Sequence, residues 1–288
     1  MRIRPVDIII VLLILVVVPL GRFFHTTKSA YLMGTPIKVR VDGYFSVLLS
    51  PHAIGEVRRL EGSFGSSIPE GEIGLVNSLA GLAPIQVSED TFRCVEVAME
   101  ISRLSGGAFD ITLGHSKDLI LNSEGRQLFL KRKGVKIDLG AIGKGYAADH
   151  VRRLLLKSGA KSGMIDMRST IAVFGKKRWK IGIQHPRKSN ELIGKITLIN
   201  GQSLSTSGDY ERGGHIIDPR SGKAADMCQS VTVVGHNAAE TDALSTAVFV
   251  LGPRSGLKLI GSLPGYEALI IDKEGAIVKS SGFNLEEI

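Results

Sequence analysis

The chain has 288 residues, 43% hydrophobic and 22% charged, the balance of a folded globular protein with a full core, built as one large domain or two closely packed lobes. Its net charge of +8 would suit a nucleic acid or an anionic lipid. The cations are scattered, however, with runs only at Lys131-Arg132-Lys133 and Lys176-Lys177-Arg178, and no nucleic-acid module is present, so no nucleic-acid partner is expected. A phosphate-bearing small ligand fits the charge equally well. The two cysteines, Cys94 and Cys228, form neither a CxxC pair nor a disulfide framework, which leaves them as small buried apolar residues.

The first segment, MRIRPVDIIIVLLILVVVPLGRFF, places Arg2 and Arg4 ahead of an apolar run from Ile8 to Leu20. That run has the length of a signal h-region and is short for a spanning helix. Neither a small-x-small cleavage site nor a cysteine for lipid attachment follows it. The expectation is an uncleaved signal anchor in residues 1–30, with the folded domain, 31–288, on the extracytoplasmic side of the membrane.

From Tyr31, the alternation in MGTPIKVRVDGYFSVLL predicts two paired strands around Asp42-Gly43. HAIGEVRRLEGSF reads as a helix despite Gly55, and a turn-rich stretch follows. SEDTFRCVEVAMEISRLSGG is a helix capped by Ser88 and stopped by Gly106-Gly107. A strand in RQLFLKRKGVKIDLG precedes the glycine-punctuated helix AIGKGYAADHVRRLLLKSG. The pattern then becomes mostly β: GMIDMRSTIAVFG, WKIGIQ, GKITLING, SLSTSG, HIIDP and QSVTVVG. Next comes a helix in NAAETDALSTAVFVLGP, capped by Asn237 with Glu240 as capping-box partner and stopped by Gly252-Pro253. A further helix and a hairpin turned by Lys273-Glu274-Gly275 close the chain. Strands and helices mix without βαβ alternation, which argues for an α+β fold.

Four segments carry more polarity and glycine than scaffold needs. In GGAFDIT (106–112), Phe109 and Asp110 offer a stacking face and a hydrogen-bond acceptor, although a helix stop followed by a strand would look the same. In KIDLGAIGKGYAAD (136–149), Gly140, Gly143 and Gly145 surround Lys144 at a helix entrance, the makings of an anion site or of a tight turn. In LSTSGDYERGGHIIDPRSGKAAD (204–226), Ser205, Thr206 and Ser207 read as a hydroxyl-rich turn, and His215 lies where an imidazole could move a proton or hold a phosphate. In the Asn237 helix, Asp242, Ser245 and Thr246 share one face. Those oxygens are either a solvated stripe or a hard-cation site, since a carboxylate and a hydroxyl one turn apart can share one Mg²⁺.

Taken in order, MGTP (33–36), GEIGLVN (71–77), GGAFDIT, DLGAIGKGYAAD, TSGDYE, HIIDPRSG and SVTVVG…TDALSTAVFVLG resemble the FAD:protein FMN transferases, the ApbE-like flavin transferases. The resemblance runs from Met33 to Gly252. It implies an α+β, ApbE-like (T-fold-like) protein of two interlocked lobes of mixed or antiparallel sheet with packed helices, and FAD in the cleft. It further implies FAD contacts at Met33, Ala108, Phe109, Asp110, Asp138, Lys144 and Ile217. Mg²⁺ would be held by the Ala141 carbonyl and the side chains of Asp242 and Thr246, with Ser245 at a position that is an additional acidic ligand in some relatives. The implied reaction is Mg²⁺-dependent transfer of FMN from FAD to a Thr or Ser hydroxyl of an acceptor flavoprotein, a membrane redox protein, at the periplasmic face of the inner membrane. AMP leaves, and His215, with Asp242 as the alternative, takes the proton. Two other readings of such a site are an FAD pyrophosphatase and a non-catalytic FAD-binding protein. The chain departs from the family pattern at Asp166-Met167-Arg168-Ser169-Thr170, where relatives carry a glycine pair, and Phe64 is the candidate for the flavin-stacking aromatic. On the reading of Asp242 as a metal ligand at a solvated helix position, Asp242→Ala is expected to remove transfer with little loss of fold.

Overall fold

The computed structural model describes residues 24–210 and 216–287. The alternating stretch yields β2 (Thr35–Asp42), with Ile37, Val39 and Val41 buried and Lys38 exposed between them. Its hairpin partner, however, lies upstream. β1 (His25–Leu32) pairs with β2 antiparallel through a turn at Met33-Gly34, where φ is 52° and 70°. Two consecutive positive φ angles match the right-handed twist of the strands. The hairpin expected around Asp42-Gly43 is therefore displaced. Gly43 instead turns the chain out of β2 into α1 (Ser46–Phe64), and Val47-Leu48-Leu49 form the helix's first turn in place of a strand. The sheet thus begins at His25, ahead of Tyr31.

Next come α2 (Glu72–Ser78), β3 (Ile85–Gln86) and α3 (Glu89–Leu104), whose cap Ser88 accepts from the Thr91 N–H. β4 (Leu119–Asn122) and β5 (Gln127–Leu130) join β3 in a small sheet of order β3-β5-β4. The glycine-punctuated helix is α4 (Gly143–Lys157). β6 (Ser162–Asp166), β7 (Thr170–Phe174), a ribbon of β8 (Trp179–His185) and β9 (Lys188–Leu198), and β10 (Ser203–Gly208) follow. A two-stranded turn of β11 (Ile217–Asp218) and β12 (Lys223–Ala224) leads to β13 (Cys228–Gly235). α5 (Ala238–Gly261) starts at Asn237, whose side chain accepts from the Glu240 N–H. Gly252 (φ 74°, ψ 178°) breaks it as expected, but Pro253 opens a second helical stretch instead of ending the element. β14 (Glu267–Asp272) and β15 (Ile277–Lys279) close the chain.

Eight strands form one sheet in the order β1-β2-β6-β7-β10-β13-β14-β15, and every neighbouring pair is antiparallel. The α+β class and the antiparallel pairing therefore hold, and one continuous sheet joins the two halves of the chain. Alternate residues of the central strands serve two cores. Ala172 and Phe174 of β7, Val231 and Val233 of β13, and Ala268 and Ile270 of β14 pack under the helices. Ile171, Val173, Val234, Leu269 and Ile271 pack with Trp179, Ile183, Ile196 and Leu198 of the β8–β9 ribbon. With both faces covered, β7 is buried at every position, which is why TIAVF reads as a continuous apolar run. Cys94 and Cys228 are both buried and unpaired, as composition indicates.

On the outer side of the helices, α1, α3 and α4 are tied by a charge cluster. Asp90 Oδ2 accepts from Arg59 Nη2 at 2.6 Å, and Asp90 Oδ1 lies 3.0 Å from His150 Nδ1 and 3.1 Å from the Tyr146 hydroxyl. The other imidazole nitrogen, Nε2, is 3.1 Å from Glu56 Oε2. The His150 hydrogen bond, with those of Arg59 and Tyr146, holds the Asp90 carboxyl far below the ordinary aspartate range despite its partial burial. A depressed carboxylate stabilises the fold at pH values above its unfolded pKa, and that contribution is lost as pH falls through the folded value. Asp90→Asn is expected to lower stability at pH 7 by about 1–3 kcal/mol. In urea unfolding as a function of pH, this deficit should narrow as pH falls below about 4, where the aspartate of the unfolded chain takes up a proton that the folded Asp90 still resists.

Candidate active site

The three oxygen-bearing residues of α5 do not face solvent. Ser203, Ser205 and Ser207 alternate along β10 and so point to one face, and α5 lies across that face. The Ser203 hydroxyl is 3.0 Å from that of Thr241, and Ser205 Oγ donates to Asp242 Oδ1 at 2.9 Å. Ser207 Oγ lies 2.8 Å from Ser245 Oγ and 3.1 Å from Thr246 Oγ1. The SLSTSG segment is therefore a strand that presents its serines to a helix, and the expected hydroxyl-rich turn is not formed.

Asp242 is the centre of this seam. It is only 4% exposed, and its carboxylate joins three elements. Oδ1 accepts from Thr170 Oγ1 of β7 at 2.9 Å as well as from Ser205, and Oδ2 accepts from the Gly145 N–H of α4 at 3.0 Å. No cationic side chain is ion-paired or hydrogen-bonded to it among the described residues. The positive end of α4 and the hydroxyl dipoles compensate its charge instead. Glycine at 145 is required by this approach, because an added Cβ would lie 2.2 Å from the Ala238 carbonyl oxygen and 2.7 Å from Asp242 Cβ.

The same contact completes the start of α4. Gly145 is its third residue, whose N–H has no intrahelical acceptor, and Asp242 supplies one, while the next amide, Tyr146, reaches Ile142 at 2.9 Å. The Ala141 carbonyl, ahead of the helix, accepts no hydrogen bond among the described residues. Asp242 Oδ1 has two donors and Oδ2 one, so one lone-pair direction stays open on Oδ2. A free carbonyl, a carboxylate with an open lone pair and the hydroxyls of Ser245 and Thr246 make an all-oxygen set. That set suits Mg²⁺, which keeps several waters and needs one or two carboxylates plus substrate phosphate. No group of three His, Cys, Asp or Glu side chains that could hold a metal occurs among the described residues.

Of the other predicted positions, the segments that carry Asp138, Asp110 and Ile217 are brought together. The Asp138 N–H donates to the Ile111 carbonyl at 2.8 Å, which joins KIDLG to GGAFDIT. Gly114 abuts the Pro219 carbonyl, where a Cβ would come within 2.5 Å, so the turn after Ile217 lies against the same loop. Asp138 is exposed and holds the Gly140 N–H at 2.8 Å, and Lys144 Nζ donates to the Gly140 carbonyl at 3.0 Å. Met33 sits at the β1–β2 turn with its N–H on Glu61 Oε1. Ile217 is half-buried in β11. Ala108 and Phe109 are buried in the core, and Asp110 spends its oxygens on the Thr112 amide and hydroxyl and on the Gly114 and Ser116 amides. Asp110 thus shapes its own loop. Phe64 is buried edge-on against Tyr146, with ring centres 5.6 Å apart, and presents no free stacking face. His215 lies outside the described residues. A cavity of about 630 Å³ between α3, α4 and the start of α5, lined by Arg93, Arg153 and Lys157 among others, includes none of these predicted positions.

Two features escape a reading of the sequence. Asn77, at the end of GEIGLVN, clamps both backbone groups of Ile137, accepting from its N–H at 2.7 Å and donating to its carbonyl at 2.9 Å. It thereby positions Asp138. Arg168 adopts a left-handed conformation, with φ at 74°, and its N–H is held by Asp166 Oδ1 at 2.8 Å. Lys38 of β2 pairs with Asp166. The exposed Arg168 side chain therefore leaves the same end of the sheet as the Met33-Gly34 turn. Ser169 Oγ beside it is buried without a partner.

Comparison with known proteins agrees with this architecture. The ApbE family model matches residues 33–127 and 115–270. The FAD:protein FMN transferase of Klebsiella pneumoniae is 30% identical over 291 residues, covering 88% of this chain and 91% of that protein. The one from Treponema pallidum is 26% identical, covering 91% and 88%. A crystal structure of the ApbE protein from Thermotoga maritima superposes with a TM-score of 0.84 at 27% identity, over 92% of this chain and all of that one. The chain belongs to the ApbE family.

Because Asp242 is buried with three donors, Asp242→Ala is not the mild change expected from a solvated helix face. It is expected to cost more than about 2 kcal/mol, since each donor left unsatisfied costs about 1–3 kcal/mol; denaturant unfolding measures this. Arg168→Gly is expected to raise stability by about 1 kcal/mol, because glycine removes the steric cost of the left-handed conformation. A thermal or urea midpoint unchanged or lowered by that substitution would contradict the strain.

Proposed function

We propose that this chain is an FAD:protein FMN transferase, moving the FMN moiety of FAD to a Thr or Ser hydroxyl of an acceptor flavoprotein with release of AMP. The observation that carries the reading is the Gly145 N–H bonded to Asp242, which holds the start of α4, with its unbonded Ala141 carbonyl, against that carboxylate. Ala141, Asp242 and Thr246 are the positions that hold Mg²⁺ on the family pattern, with Ser245 at a position that adds an acidic ligand in some relatives. Mg²⁺ held there would neutralise the pyrophosphate and the departing phosphate oxygen.

The residues divide the remaining work. Lys144 and the amides at the start of α4 bind the anionic substrate. Arg168 adds a charge-assisted contact to phosphate from the rim. The acceptor oxygen forms its bond to the FMN phosphorus as the bond to the AMP oxygen breaks, and His215 takes the acceptor proton. Asp242 holds metal, since only one of its lone pairs is open. The product is a phosphoester, so neither cysteine takes part. Residues 8–20, the apolar run, anchor the domain to the membrane on its extracytoplasmic side, where a membrane redox protein would be its acceptor.

The test incubates the full chain with FAD, Mg²⁺ and an acceptor flavoprotein domain. Flavin fluorescence on the denatured acceptor with equimolar AMP is the expected result. AMP without labelled acceptor would mean hydrolysis, and neither product would mean binding alone. Thr246→Val should raise the Mg²⁺ requirement, and Arg168→Ala should weaken FAD by about tenfold or more, the loss of a charge-assisted hydrogen bond.

A further inference from the structure

An apolar patch lies where the chain enters the fold. Phe45 and Leu48 are 64% and 71% exposed, Val47 is exposed beside them, and Phe24 and Tyr44 meet with ring centres 6.3 Å apart. Pro51 extends the same surface along α1. Isolated exposed apolar side chains are ordinary, but large ones clustered together mark an interaction surface. The patch lies at the β1 edge, and the opposite edge of the sheet, β15, is seven strands away.

We propose that this patch seats the domain on the surface of the lipid bilayer, with the aromatic rings and Leu48 in the headgroup region. The inference rests on the reading of residues 8–20 as a membrane anchor and deepens it. Its ground is the length of chain between the two. From Leu20 to Phe24 four residues can span at most about 14 Å, and Phe24 is itself part of the patch, with its carbonyl bonded to the Gly43 N–H at 2.8 Å. A tether of that length keeps this corner within about 14 Å of the hydrocarbon edge, within reach of an interfacial layer roughly 5–8 Å thick. Charge agrees. Between Phe24 and Gly55 the sole acid is Asp42, and it is paired with Arg40 at 3.0 Å. Lys28 is exposed four residues along β1 from Phe24, so an anionic headgroup beside the apolar patch can meet a cation. Phe and Tyr bodies with basic neighbours are the composition that binds such an interface.

The buried cysteines make a direct test possible. Cys94 is fully buried, and burial pushes the Cys228 thiol up to about 12, so neither competes for a thiol-directed label. Full-length Leu48→Cys and Ile277→Cys, the second on β15 at the opposite edge, are labelled with an environment-sensitive fluorophore. Each is reconstituted into vesicles of phosphatidylcholine and phosphatidylglycerol, with and without headgroup-spin-labelled lipid. The expected result is co-flotation of both proteins, with a blue shift and loss of most emission at position 48 and no change at 277. Co-flotation with equal, unquenched emission at both positions would overturn the seating while leaving the anchor intact. A blue shift at 48 that needs no vesicles and resists quenching would mean that the apolar run or a second copy covers the patch, and would also overturn it. Failure of both proteins to float would overturn the anchor reading and the seating with it.

Discussion

The site depends on one buried carboxylate. Asp242 accepts from the first turn of α4, from β7 and from β10, three elements drawn from distant parts of the sequence. Among the described residues, no other charged side chain bonds the serines of β10. A carboxylate so placed would be costly without donors, and its donors would be costly without it. The arrangement fixes α4 and α5 at glycine-contact distance, next to the unbonded Ala141 carbonyl that precedes α4. Scaffold and chemistry thus share the same atoms.

This sharing explains the surroundings. Ser203, Ser205 and Ser207 repeat every two residues, and Thr241, Asp242, Ser245 and Thr246 repeat at helical spacing. The two periods coincide over two turns and produce a hydroxyl ladder in place of an apolar contact. Such a polar seam specifies one alignment of helix on strand, because a shifted register would strand several buried hydroxyls. Asn77 extends the same logic outward. By holding both backbone groups of Ile137, it fixes the strand end that precedes Asp138 and the glycine loop.

Much of this was legible in the sequence. The capped helices α3 and α5, the glycine-punctuated helix α4 with its loop and the oxygen face of α5 follow from local rules, and the order of the motifs points to the family. What was not legible has physical causes. The β1–β2 turn was hidden because Met33, a non-glycine residue, takes a positive φ, whereas Asp42-Gly43 carries the stronger local turn signal. β10 reads as a turn from its hydroxyls alone, since only the helix opposite makes a row of serines useful in a strand. Asp242 reads as a solvated helix residue because its donors come from Gly145, Thr170 and Ser205, which nothing local connects to it. Phe64 reads as a free aromatic because its partner, Tyr146, lies far along the chain.

The strand order also sets a schedule for folding. β1 and β2 form a local hairpin that can close early, but the inner edge of β2 pairs with β6, with Lys38 opposite Asp166. Until synthesis has passed that point, the hairpin carries an unpaired edge, although α1, made before β6, can already pack Ala53, Val57 and Leu60 on the Ile37, Val39 and Val41 face. Non-local closure of this kind is slow, and exposed strand edges recruit other chains. The open edge of β2 is therefore the exposed feature of the nascent fold until β6 arrives.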